Sequence, residues 1–131
     1  MSFEVGYDES DNVVEVKLHG DVTFQEVLNF IDEMIKLTQK FSCYEWIVNY
    51  EDARYKLNTW EIYDLPKMVI EKMEVLGERK YQVKRAIIRI NDKADFSFLE
   101  NVAANNCQSL RVFDNKQAAL NRLKVRNTDI V

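Results

Sequence analysis

Two short stretches near the start of the chain alternate between apolar and polar positions, which is the pattern of β-strands with one buried face. The first is 3–7 (FEVGY) and the second is 14–18 (VEVKL). Asp11 and Asn12 lie between them and are residue types that favour turns. The sequence therefore predicts an antiparallel hairpin, and Gly20 is expected to break its second strand.

Apolar residues then recur three or four positions apart, as in an α-helix with one buried face. The helix is predicted over 24–39, and Thr23 with Glu26 has the spacing of a capping box at its start. The apolar stripe of this helix comprises Val27, Phe30, Ile31, Met34 and Ile35.

A second helical pattern begins after Asn58 and continues to Gly77. Pro66 interrupts it, and a proline inside a helix lacks an N–H donor and bends the helix. We therefore expect a first turn near Trp60, a kink, and a main helix from about Leu65.

Strands and helices alternate in the rest of the chain. The run Trp46-Ile47-Val48 suits a strand buried on both faces. Further strands are predicted at 84–90 and 110–113, with a helix over 95–105 and a last helix capped by Asp114. Such alternation implies parallel pairing. The predicted fold is α/β, with a mixed five-stranded sheet, an N-terminal antiparallel hairpin followed by βα units, and four main helices.

Composition is that of an ordinary globular protein, with 47% hydrophobic and 31% charged residues in a chain of 131. We expect a single domain over 1–125 and a frayed tail over 126–131. No apolar run approaches the roughly 20 residues of a bilayer span, and the N-terminus has no secretory pattern. These features predict a cytoplasmic protein without an integral membrane segment, in which Cys43 and Cys107 are free thiols.

Charge and residue usage exclude several functional classes. A net charge of −4 without a dense cationic face disfavours nucleic-acid binding. Three glycines cannot supply a phosphate loop, and one histidine, His19, excludes a multi-histidine metal site. His19 with Asp21 supplies a base and an orienting carboxylate, but no nucleophile is adjacent in sequence. The sequence therefore predicts no catalytic residue, no metal site and no cofactor.

One segment, 50–63, is polar and aromatic together, and it follows the predicted third strand. Aromatic residues and arginine dominate the energetics of protein interfaces. Ligands of open α/β sheets also bind at the carboxyl ends of strands. The candidate binding residues are Tyr50, Arg54, Tyr55, Lys56, Thr59, Trp60 and Tyr63. The alternative is that part of this segment folds back over the edge of the core.

The order of elements resembles the STAS (SpoIIAA-like) fold of anti-sigma-factor antagonists. The C-terminal third is similar to that of small bacterial SpoIIAA-like or STAS/SEC14-type proteins. The matching positions are Phe98-Leu99-Glu100, Val102-Ala103, Asn105, Leu110-Arg111-Val112-Phe113, Ala119-Leu120 and Leu123. In the antagonists the resemblance implies a phosphorylated serine between the third strand and the second helix. The equivalent region here has no serine, and Thr59 is the hydroxyl able to replace it.

Two functional hypotheses follow from these features. The first is a non-enzymatic STAS-like domain that regulates through protein contacts, with an unknown partner or with a second copy of itself. The second is a module that binds a small hydrophobic or anionic molecule, such as a lipid, at the carboxyl ends of the parallel strands. A large apolar cavity would favour the second hypothesis, and a flat exposed aromatic patch would favour the first.

Overall fold

A five-stranded sheet with helices on both faces organises the computed structural model, which describes residues 2–88 and 109–124. The strands are β1 (Ser2–Asp8), β2 (Val13–Val22), β3 (Glu45–Tyr55), β4 (Lys84–Ile88) and β5 (Ser109–Phe113). The α-helices of these residues are α1 (Phe24–Phe41), α2 (Thr59–Lys72) and α3 (Lys116–Leu123), and a 3₁₀ segment, Met73–Gln82, follows α2.

The strands lie in the order β1-β2-β3-β4-β5. β1 and β2 pair antiparallel, with Val5 opposite Val16, and each later neighbour pairs parallel. The predicted hairpin and mixed five-stranded sheet are thus confirmed. The described residues contain three α-helices, whereas four were predicted. The helix predicted over 95–105 and the tail 126–131 lie outside the described residues.

Each face of the sheet has its own apolar core. On one face, α1 and α2 cover alternate residues of β2 and β3, including Trp46 and Val48. On the other face, α3 packs Leu123 against Ile47 and Ile88. Consecutive residues of β3 are therefore buried on opposite faces, which confirms the prediction from its continuous apolar run.

A chain of two hydrogen bonds ties β3 to α1 inside the larger core. The fully buried indole of Trp46 donates from Nε1 to Oγ1 of Thr38 over 2.7 Å. The Thr38 hydroxyl in turn donates to the carbonyl of Met34 over 2.9 Å. These bonds satisfy the polar groups that come with a large buried aromatic side chain.

The β1–β2 turn is fixed by local polar contacts. Asn12 adopts a φ of 52°, and its Oδ1 accepts a 2.7 Å hydrogen bond from the hydroxyl of Tyr7. The Tyr7 ring stacks on Phe41 of α1, with 4.2 Å between the centroids. Cys43 is a free thiol whose Sγ lies 3.3 Å from the carbonyl oxygen of Asn12, and burial raises its pKa.

Gly20 does not end the second strand, contrary to the prediction. β2 continues to Val22, and Gly20 lies within it at a φ of 78°. The register between β2 and β3 shifts earlier, between Lys17 and His19, and Gly20 itself pairs with Ala53.

The second and last helices also differ from their predictions. α2 is one continuous helix from Thr59 to Lys72 and contains Pro66, whose side chain is buried. The α-helix ends at Lys72, before Gly77, which adopts a φ of 63° inside the 3₁₀ segment. The last helix is capped by Asn115 rather than Asp114, because the Asn115 side chain accepts from the N–H of Ala118 over 2.8 Å.

Candidate functional site

The segment from the end of β3 to the start of α2 is held in place by backbone contacts. The N–H of Lys56 donates to the carbonyl of Val22 over 3.0 Å, which joins the carboxyl ends of β3 and β2. Leu57 is buried in the core shared with α1. The connection of 56–58 therefore follows a defined path, although its composition resembles that of a loop.

A complete capping box fixes the start of α2. The Asn58 side chain accepts from the N–H of Glu61, and the Glu61 carboxylate accepts from the N–H of Asn58, both over 2.9 Å. Asn58 is thus the N-cap of α2, and the helix begins directly after it, as the helical pattern of the sequence predicted. The first residues of the helix, Thr59 and Trp60, are thus presented on a rigid element.

Two aromatic side chains on the first turns of α2 are exposed to solvent. Trp60 is 78% exposed and Tyr63 is 47% exposed. They are three residues apart, so they lie on the same side of the helix. Thr59 and Lys56 are exposed as well, and so is Arg54 near the end of β3.

Tyr50 is not available as a contact residue, contrary to the prediction. It is 2% exposed and belongs to the core beneath α1. The reason is that 50–55 continues β3 instead of forming a loop, so Tyr50 follows Val48 on the same face. The backbone of Tyr55 pairs with Val22. We call the remaining predicted residues the Trp60 surface, which comprises Arg54, Tyr55, Lys56, Thr59, Trp60 and Tyr63.

The cavity beside this region is small. It has a volume of about 30 Å³ and lies between α1, α2 and the sheet, with Phe30, Pro66 and Arg85 in its wall. That volume accommodates about two water molecules, whereas sites for drug-sized ligands are roughly 300–1,000 Å³. This cavity is not large enough to hold a lipid chain. The exposed aromatic patch consists of Trp60 and Tyr63.

The sheet register places polar residues beside His19 that are distant from it in sequence. His19 is exposed on β2, with Ser2 opposite it on β1 and Asp52 opposite it on β3. Asp21 was the carboxylate expected to orient His19, because strand register is not visible in a single sequence. The side chain of His19 is exposed, so water competes for its polar contacts.

Replacing His19 with alanine is expected to leave any activity of this protein within about tenfold, or 1.4 kcal/mol of barrier, because its side chain is exposed to water. Hydrolysis of p-nitrophenyl acetate by purified protein is a suitable measurement, with Lys17→Ala on the same strand as the matched control. A loss of several orders of magnitude with an unchanged circular dichroism spectrum would show that His19 is catalytic.

In residues 2–88 and 109–124, no group of three histidine, cysteine, aspartate or glutamate side chains is placed to hold a metal ion. In the same residues no helix is both long and apolar enough to cross a membrane.

Neither a known protein family nor a curated protein matches the sequence. Solved structures match its fold. The anti-sigma factor antagonist SpoIIAA in its unphosphorylated form superposes with a TM-score of 0.57 at 12% identity, over 95% of this chain and 100% of that chain. The phosphorylated form of the Bacillus cell fate determinant SpoIIAA gives a TM-score of 0.51 at 14% identity, over 94% and 100%.

A third similar structure is an uncharacterised protein of the DUF3478 family from Shewanella loihica, described as having a SpoIIAA-like fold. It superposes with a TM-score of 0.55 at 16% identity, over 92% of this chain and 93% of that chain. At these identities the similarity concerns the fold. It agrees with the resemblance seen in the sequence and with the observed strand order. The chain is therefore an α/β domain with the STAS, or SpoIIAA-like, fold.

Proposed function

We propose that this protein is a non-enzymatic cytoplasmic regulator that acts by binding a partner protein through the Trp60 surface. The observation that carries the proposal is the exposure of Trp60, at 78%, beside Tyr63 on the same side of α2. Tryptophan, tyrosine and arginine are the residue types that contribute most to binding energy in interfaces. Most of the Trp60 side chain lies outside the core, so packing does not explain a tryptophan at this position, whereas contact with a partner does.

Rigidity of the Trp60 surface supports the same proposal. The capping box of Asn58 and Glu61 and the backbone bond from Lys56 to Val22 hold the segment before any partner arrives. A surface that is already ordered loses less conformational entropy on binding. The surface also lies at the carboxyl ends of the parallel strands, where open α/β sheets place their sites.

The structural comparisons add support of a coarser kind. SpoIIAA is an anti-sigma factor antagonist, and it has been solved in unphosphorylated and phosphorylated forms. In the present chain, Thr59 is exposed as the first residue of α2. A phosphate on Thr59 would be favoured by the helix N-terminus and would add negative charge between Lys56 and Trp60. We infer that Thr59 is where a kinase would regulate this surface.

A ligand-binding role has less support than protein binding. The cavity of about 30 Å³ is too small for a lipid, and the exposed aromatic residues lie outside it. We also propose that 1–125 acts as one domain, because α3 packs on β4 of the sheet that begins with β1.

The proposal is tested by the paired substitution Arg54→Ala with Tyr55→Ala. The partner is first identified by pull-down and native mass spectrometry, which also detects a second copy of the chain. The dissociation constant of the complex is then measured by calorimetry for the wild-type protein and for the paired variant. We expect the paired variant to bind the partner at least tenfold more weakly, because arginine and tyrosine are residue types enriched among the interface contacts worth more than 1 kcal/mol. Unchanged binding together with a lower melting temperature would show that the segment only covers the core.

A further inference from the structure

β1 is an edge strand with an unpaired side. Within the described ranges it pairs only with β2, on one of its two edges. α1 covers one face of β1, where Phe3 lies against Phe30 and Tyr7 against Phe41. An uncovered strand edge offers backbone N–H and C=O groups to an extended peptide, which can add to the sheet as a further strand.

An acidic groove of about 510 Å³ runs along β1. Its wall is formed by Glu4, Val5, Gly6, Tyr7, Asp8, Glu9, Glu15 and Lys17. Carboxylates outnumber ammonium groups in this wall by four to one, and a second ammonium group enters from Lys116 of α3. The groove is therefore complementary to a ligand with positive charge.

The contacts of Lys116 show how an ammonium group fits here. Its Nζ lies 3.0 Å from Oε1 of Glu15 and 3.9 Å from Oδ2 of Asp8. The hydrogen bond with Glu15 raises the pKa of Lys116, so the lysine is held in its charged form. Glu15 is only 9% exposed, and its second oxygen, Oε2, is buried without a hydrogen-bond partner among the described residues. An unsatisfied buried carboxylate oxygen is costly, and a second donor would relieve that cost.

Gly6 leaves a path to Glu15 from the open edge. In the hairpin register Gly6 is directly opposite Glu15, and a Cβ built on Gly6 would meet no heavy atom within 4 Å. Residues directly opposite each other point to the same face of the sheet. A long side chain from a strand added next to β1 can therefore cross Gly6, between Glu4 and Asp8, toward the carboxylate of Glu15.

We propose that the β1 edge binds an extended basic segment of a partner protein by strand addition, with a lysine or arginine side chain crossing Gly6 to Glu15. Backbone hydrogen bonds to β1 supply affinity, and the acidic groove selects the basic partner. A second copy of this chain is a poor occupant, because the carboxylates of Glu4 and Asp8 in one copy would lie close to those in the other. Like charges on adjacent strands are destabilising. This surface is distinct from the Trp60 surface, and the proposal goes beyond the function proposed above.

The test uses a synthetic eight-residue peptide of alternating lysine and valine and the ¹⁵N-labelled protein. Binding is expected to shift the amide resonances of 2–8 most strongly. Gly6→Val, which fills open space and suits a strand, should weaken binding at least tenfold, and Glu4→Lys should do the same. Glu33→Lys on α1 is the matched charge control and should leave the dissociation constant within twofold. A peptide of the same sequence with an N-methyl group on every residue, which has no backbone N–H donor on either edge, should not bind.

Three results would overturn the proposal. The first is equal binding of the N-methylated peptide, since binding would then be charge attraction without strand pairing. The second is shifts centred on residues other than 2–8. The third is self-association through 2–8 in the absence of peptide, which would make this edge a contact between copies. Thermal unfolding of each variant confirms that Gly6→Val and Glu4→Lys are folded before these results are compared.

Discussion

Replacing Trp46 with alanine is expected to lower the free energy of unfolding by about 3–5 kcal/mol. Trp46 is fully buried in β3, and truncation would leave a cavity beneath α1. Because a domain of this size has only about 5–15 kcal/mol of stability, the variant should unfold at a much lower urea concentration. Far-UV circular dichroism is the appropriate measurement, since it does not depend on the fluorescence of the tryptophan that is removed.

Thr38 separates the two contributions of Trp46, the packing of its ring and the hydrogen bond of its indole. Thr38→Val keeps the shape of the side chain but leaves the Trp46 N–H without its acceptor, at a cost of about 1–3 kcal/mol. Thr38→Ser keeps the hydroxyl and is the matched control. If Thr38→Val is as stable as the wild-type protein, the hydrogen bond from Trp46 makes no net contribution and packing alone holds β3 to α1.

Much of the fold was predictable because burial imposes a period on the sequence. Alternation at 3–7 and 14–18 predicted the hairpin, and the spacing from Val27 to Ile35 predicted α1. The run at Trp46-Ile47-Val48 predicted a strand with a core on each face. Parallel pairing of β4 with β5 followed from the alternation of strands and helices.

The details that were not predictable depend on contacts between distant residues. A polar and aromatic segment after a buried run resembles a loop, yet pairing with β2 extends β3 to Tyr55 and buries Tyr50. Pro66 was expected to separate a first turn from the main helix, yet it lies inside one continuous helix, α2. The pairing of Gly6 with Glu15 depends on the register between β1 and β2, which the sequence of either strand alone does not determine.

The Trp60 surface was predicted in part, for a reason of composition. Arginine and large aromatic residues are unusual in a short connection, and that signal selected Trp60 and Tyr63, whose side chains are exposed in the structure. The same signal included Tyr50, because composition does not distinguish an aromatic residue in the core from one in an interface. The acidic groove was missed, since its carboxylates come from β1, β2 and the turn after β1.

Trp60→Ala is expected to weaken binding of the identified partner by at least about 30-fold, which corresponds to roughly 2 kcal/mol, the value of an interface hot spot. The side chain is 78% exposed in the free protein, so its removal should change the free energy of unfolding by no more than about 0.5 kcal/mol. Calorimetric titration gives the first quantity, and urea denaturation followed by far-UV circular dichroism gives the second.

Tyr81→Ala is the matched control for Trp60→Ala. Tyr81 is also a largely exposed aromatic residue, at 60%, but it lies in the 3₁₀ segment after α2. If the partner binds through the start of α2, the dissociation constant of Tyr81→Ala should be within twofold of that of the wild-type protein. The same is expected of Gly6→Val on β1. Equal losses of affinity for Trp60→Ala and Tyr81→Ala would indicate nonspecific adhesion to exposed aromatic residues. If neither variant lost affinity, the start of α2 would not be part of the interface. A loss confined to Trp60→Ala would locate the interface at the start of α2, where the capping box of Asn58 and Glu61 fixes the backbone that carries Trp60.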